Sequence, residues 1–255
     1  MRHDGVEVAV LGPVSVRGVP QPFRRAAARE LVVYLAFHRE GVRHGEWALA
    51  LWPDRPVSPA TVHSTASDAL RALGETADGA ARLPCGPRLR LDRSVGTDVD
   101  RFGALVRSGR YIEAVRLVRG PLFGGLRRSD WAVLDGTLAE VEASVVQAVL
   151  RGADALLRSG RAAESEWTVR RGLAASPYDE RLYRALLRAL SAQGNRVGLR
   201  AAMAQLLVLA GDPPAPPMLA GWAGGAWEPL HPETTALYRE LLCGRPATGG
   251  APARL

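Results

Sequence analysis

The 255-residue sequence has no lysine, one isoleucine (Ile112) and one asparagine (Asn195), so all 33 basic residues are arginine. A phosphate-binding loop of the GxxxxGK[ST] kind uses a lysine to reach the β- and γ-phosphates, and this chain has none to offer. Gly120, Gly124 and Gly125 do not form that pattern either. Rare isoleucine, asparagine and lysine are the mark of GC-rich coding, so part of the arginine excess reflects composition and not phosphate contacts. The two cysteines, Cys85 and Cys243, are far apart, without CxxC or histidine partner spacing, which points to buried or incidental thiols. No run approaches the roughly 18 apolar residues of a membrane span. Met1-Arg2-His3-Asp4-Gly5 lacks the apolar core of a signal peptide. The expected location is cytoplasmic, with no membrane contact from this chain.

Catalytic constellations are equally scarce. The five histidines, at 3, 38, 44, 63 and 231, have no HExxH or paired-ligand spacing, and the expectation is no metal, no cofactor and no enzyme activity. Asp98 and Asp100 stand where a helix is expected to begin, and there acidic residues cap amides more readily than they bind a cation. Trp47, Trp52 and Trp167 fall where core packing is expected. Trp131, Trp222 and Trp227 flank loops, where they either seal the array or form a docking surface.

A chain of this length is expected to divide in two. The net charge of +7 invites a nucleic-acid reading. It is spread evenly, however. Residues 1–97 carry 13 Arg against 10 acidic residues, +3, and residues 98–255 carry 20 against 16, +4.

Within residues 5–95 the pattern is that of a winged helix. Val6, Val8 and Val10, then Val14 and Val16, alternate around Gly12-Pro13 as two short strands. Ala28, Leu31, Val32 and Leu35 make one helical stripe ending near Gly41, and a second helix fits Gly45 to Leu51 before Pro53. Ser58-Pro59 supplies an N-cap and first residue for a third helix, closed by Gly74. There Val62, Ala66, Ala69, Leu70 and Leu73 form the expected inward stripe, leaving Thr61, Ser64, Thr65, Asp68 and Arg71 outward with His63 and Ser67 on the flanks. Ala80–Leu83, a Pro84–Pro87 turn and Arg88–Leu91 read as a terminal hairpin, leucines in and arginines out. A DNA-binding surface built this way would use Arg24, Arg25, Thr61, His63, Ser64, Thr65, Ser67, Asp68, Arg71, Arg88 and Arg90.

From Asp98 to Cys243 the texture is helical, and it repeats. Ser159-Gly160-Arg161 and Gln193-Gly194-Asn195 place glycines 34 residues apart, with Pro177 midway, the period of tetratricopeptide repeats. Ser108-Gly109-Arg110 is a weaker echo, separated by an inserted element over Gly120–Asp130 and a long helix expected from Trp131 to Arg158. Gly211–Pro229 reads as an irregular loop, His231-Pro232-Glu233 as the start of a last helix, and residues 244–255 as a disordered tail. The expected fold class is mainly α with a small β component, a winged helix-turn-helix (5–95) followed by an α-helical TPR-like domain (98–243).

In this order, the segments Val10–Val16 (VLGPVSV), Leu51-Trp52-Pro53, Ser67–Gly74 (SDALRALG), Asp98–Phe102 (DVDRF), Pro177–Tyr183 (PYDERLY) and His231–Tyr238 (HPETTALY) resemble SARP/AfsR-type bacterial transcriptional activators. Those join an OmpR-like winged helix to a bacterial transcriptional activator domain, or BTAD. The resemblance implies binding of double-stranded promoter repeats through the third helix, with the BTAD serving self-association or contact with RNA polymerase or another regulatory protein. The family's third helix typically reads SRLRRALG. Here Asp68 and Leu70 replace two of its arginines, and Asp68 on an outward face would repel phosphates. The chain is also similar to the C-terminal modules of larger actinobacterial proteins with membrane spans. The competing expectation is therefore a signalling or scaffold module whose winged helix no longer reads DNA.

Overall fold

A computed structural model describes residues 5–127, 130–210 and 230–243. The expected loop at 211–229, with Trp222 and Trp227, and the expected disordered tail lie outside the described residues. The order is β1 (Glu7–Ala9), β2 (Ser15–Arg17), α1 (Ala26–Phe37), β3 (Val42–Arg43), α2 (His44–Leu51), α3 (Pro59–Leu73), β4 (Arg88–Leu89), β5 (Gly96–Thr97), α4 (Asp98–Arg107), α5 (Tyr111–Val115), α6 (Asp130–Leu134), α7 (Thr137–Arg158), α8 (Ala162–Ala175), α9 (Glu180–Ala192), α10 (Arg196–Leu209) and α11 (Pro232–Cys243). Two compact units result, residues 1–145 and 146–255, the division falling inside α7.

The first unit is a winged helix with additions. β1 pairs antiparallel with β2, Val8 opposite Val16, and parallel with β5, Val8 opposite Thr97. The sheet order is β2-β1-β5. The three helices form where their stripes predict, and Ser58 accepts the Thr61 N–H as the N-cap of α3. The hairpin differs from expectation. β4 pairs with β3, Val42 opposite Leu89, and not with residues 80–83, which touch the hairpin through the Asp92 N–H to Arg82 carbonyl bond. Leu83, Leu89 and Leu91 are all buried in this arrangement.

Residues 98–145 are part of this same unit. The capping expectation holds for Asp100, whereas Asp98 accepts amides outside α4. Thr97 is the N-cap of α4 and forms a reciprocal capping box with Asp100, while Asp98 turns back to β1. Its carboxylate accepts the N–H groups of Val10 (2.8 Å) and Leu11 (3.1 Å) and the Arg119 guanidinium (3.2 Å). Burial raises its carboxyl pKa, opposed by those amides and by Arg119. Tyr34 and Phe37 on α1 meet Trp131 and Phe123, with the Tyr34 and Trp131 rings edge-on at 5.0 Å. Trp131 thus seals this unit. The long helix expected from Trp131 is two helices. Gly136 adopts φ 83°, and Asp135 accepts the Thr137 N–H to start α7 afresh.

The second unit is a stack of helix pairs. At the ends of α7 and α9 the same turn recurs. Gly160 and Gly194 sit at φ 75° and 67°, and the next residue's N–H reaches back to Leu156 and Leu190 carbonyls, respectively. This is the 6→1 closure that a left-handed glycine permits. Gly109 after α4 repeats it through Arg110 to Leu105, and Arg110–Glu113 and Arg161–Glu164 then form matching ion pairs. The motif S-G-R-x-x-E thus recurs at two of the three turns, the turn after α9 reading Q-G-N. Gly172 on α8 lets Val149 and Leu182 close in, since a Cβ there would lie 2.9 Å from the valine methyls. α11 docks on α9 through Glu180, which accepts the His231 N–H and the Thr234 hydroxyl (2.7 Å). Trp167, expected in the core, is 41% exposed and carries Arg171 over its ring.

Candidate nucleic-acid interface

The inward face of α3 is Thr65, Asp68, Ala69, Ala72 and Leu73, packed toward α1. This corrects the expected outward set. Thr65 is 1% exposed and Asp68 6%, so neither can meet a ligand. His63 and Ser67 are exposed, with Thr61 and Ser64 half-buried beside them. The outward face is thus turned by roughly one residue's 100°. Val62, Ala66 and Leu70 keep an intermediate place, facing neither the core nor open solvent.

The buried carboxylate on this inward face is fully partnered. Asp68 accepts the backbone N–H of Arg25, the N-cap residue of α1, at 2.9 Å. Arg71, one turn on, pairs with the other oxygen of Asp68 and also reaches Gln21 Oε1 and the Pro22 carbonyl. Burial alone would raise the Asp68 pKa. The hydrogen bonds from Arg71 and from the α1 amide outweigh it and hold the carboxyl below its ordinary value. A buried charge is tolerated here because it is paired and hydrogen-bonded. Asp68 therefore does not face phosphates, and the expected repulsion does not arise. Gln21 was missed by sequence reasoning. Only the Asp-x-x-Arg spacing within one helix hinted that the two charges answer each other.

The basic residues divide in the same way. Arg71 is committed to this clamp. Arg88 is exposed, yet its guanidinium donates twice to the Gly41 carbonyl, at 3.1 and 2.7 Å. Arg24, Arg25 and Arg90 are exposed, and among the described residues their guanidinium groups make no hydrogen bond or ion pair. The structure places these three, His63 and Ser67 on the surface of one unit.

Beside α3 lies a cavity of about 290 Å³ walled by His44, His63, Ala66, Ser67, Leu70, Leu83, Cys85, Gly86 and Leu89. Cys85 and Cys243 are free thiols. Among the described residues no three His, Cys, Asp or Glu side chains are disposed to hold a metal ion. Nor, among them, is any helix long and apolar enough to cross a membrane.

Comparison with known proteins bears on the helical part first. Residues 94–201 match the family described as the bacterial transcriptional activator domain, BTAD. The matched span opens just before β5 and the Thr97 capping box, so its first residues complete the sheet of the winged helix. The fold is similar to that of Mycobacterium tuberculosis EmbR, solved in complex with a low-affinity phosphopeptide, at 24% identity and a TM-score of 0.60. The match covers 95% of this chain and 66% of that one, just under two thirds of its length. A search of curated proteins finds no match. The family match over residues 94–201 supports the resemblance to SARP-type regulators, and the likeness to EmbR shows the fold alone.

Proposed function

We propose that the chain is a DNA-binding transcriptional regulator of SARP-like kind, and that it is not an enzyme. In this reading α3 enters the major groove of double-stranded promoter DNA with His63 and Ser67 foremost and Thr61 and Ser64 at the margin. Arg24, Arg25 and Arg90 contact the phosphate backbone. The BTAD serves self-association or contact with RNA polymerase or another regulatory protein, in the cytoplasm. The observation that carries the reading is the Asp68 clamp. It removes the one acidic side chain from the outward face of α3 and leaves a neutral, hydrogen-bonding surface flanked by uncommitted arginines.

Electrophoretic retardation of promoter duplexes at rising salt tests this. Sequence-preferring binding that weakens steeply with salt is expected; no retardation at low salt overturns it. A second reading, a scaffold module acting through its helical half, draws on the exposed Trp167, Tyr178, Val197 and Val208 of the second unit. Under it, substitutions there abolish function while Arg90→Ala leaves it intact.

A further inference from the structure

The half-buried stripe Val62, Ala66 and Leu70 is unusual for a three-helix core. It turns away from α1, and Ala66 and Leu70 line the cavity between α3 and the β4 hairpin. Leu83 and Leu89, 1% and 4% exposed, form its floor. Four hydrogen-bonding side chains stand around it: the His44 and His63 imidazoles, the Ser67 hydroxyl and the Cys85 thiol. Among the described residues the His44 and His63 imidazoles and the Ser67 hydroxyl make no hydrogen bond. The two imidazoles lie within 23° of parallel, centroids 6.3 Å apart, and both line the cavity.

We propose that this cleft binds a small, flat aromatic acid. Apolar walls with a few convergent, unused polar groups are the composition of a small-molecule site. A volume near the lower end of the roughly 300–1,000 Å³ found for such sites admits one or two fused rings and is too small for a dinucleotide. The preference for an acid follows from charge. No carboxylate is among the lining residues, and the imidazole, hydroxyl and thiol groups there can all donate hydrogen bonds. A ring seated against Leu70 and Leu89 would hold the hairpin at a set distance from α3. The binding itself does not depend on the proposed DNA contacts. Its consequence for DNA does, because His63 and Ser67 belong to both surfaces.

The probe is 2-naphthoate, titrated into the full ¹⁵N-labelled chain and followed by amide shifts, with 2-naphthylmethylamine as the cationic counterpart. A single saturable site is expected, with shifts centred on His44, His63–Leu70 and Leu83–Leu89, and the amine binding roughly tenfold more weakly. Leu70→Trp fills the cleft and should weaken 2-naphthoate by about tenfold or more, with His63→Ala weakening it by roughly threefold. If Leu70→Trp fails to fold, His63→Ala, at an exposed ring, decides alone. Shifts centred elsewhere, no saturation, or affinity unchanged in the variants overturns the proposal. Duplex retardation is scored separately on the same protein. Naphthoate binding without retardation keeps the cleft and removes the DNA reading, and retardation without naphthoate binding does the reverse.

Discussion

The Asp68 carboxylate on α3 accepts the backbone N–H of Arg25 at 2.9 Å, so one helix of the winged unit caps another. Asp68→Ala leaves an α1 amide and the Arg71 guanidinium without their acceptor, and a loss of about 1–3 kcal/mol is expected in denaturant unfolding. Asp68→Arg, which restores the family's residue type at this position, should destabilise further and gain no DNA affinity, because the side chain enters a buried site.

The same contact sets a dependence on acid. The folded Asp68 pKa lies below its unfolded value, so its contribution is complete above the unfolded pKa of about 4 and is lost as pH falls through the folded one. Thermal midpoints of wild type and Asp68→Asn should differ at neutral pH and converge as pH drops below about 4.

Asp98 should behave with the opposite sign. Burial raises its folded pKa, so the fold gains relative stability as pH falls through that value and loses it as pH rises. Compared with Asp98→Asn, wild type is expected to do better in acid than at neutral pH. Asp98→Ala, which orphans the Val10 and Leu11 amides together, should cost about 2–4 kcal/mol at neutral pH, seen as a lowered thermal midpoint of the first unit.

Arginines that look equivalent in the sequence should separate in a salt series. Arg24→Ala, Arg25→Ala and Arg90→Ala are each expected to reduce the slope of log K against log salt by about 0.9 on every duplex. Arg71→Ala should change the slope less and lower stability instead, since its guanidinium is held by Asp68, Gln21 and Pro22. Equal slopes in all four variants would contradict this division.

In the second unit Gly172 and Gly194 test different physics. Gly172→Val places methyls into Val149 and Leu182 and should cost about 1–3 kcal/mol by overpacking. Gly194 has open space around its Cα but φ 67°, so Gly194→Ala should cost only the left-handed backbone penalty, about 1–2 kcal/mol. Circular dichroism melts of the two variants compare them directly.

Most elements were legible because their signals are local. Ser58-Pro59 and Gly74 bound α3 where they stand, and Gly160 and Gly194 mark turns whose backbone only glycine adopts easily. What failed to read through was pairing between distant segments. A two-residue strand at Arg88–Leu89 carries no mark of choosing Val42–Arg43 as its partner. The break at Gly136 was hidden because Trp131 to Arg158 keeps a helical texture on both sides of it. In the candidate site, His63 and Ser67 stood on the flank of the expected surface and prove to be its exposed part, whereas Thr65 and Asp68 were assigned to the wrong face.

The sequence by itself determined that a short-stranded, three-helix unit precedes a helical repeat, since hydrophobic period, caps and glycine turns act over a few residues. It also settled the absence of a lysine-bearing phosphate loop. Tertiary structure alone decided which face of α3 is free. A carboxylate reads as surface until a partner amide and an arginine are brought to it. Once Arg25 and Arg71 satisfy Asp68, burying it is no longer costly, and α3 presents His63 and Ser67.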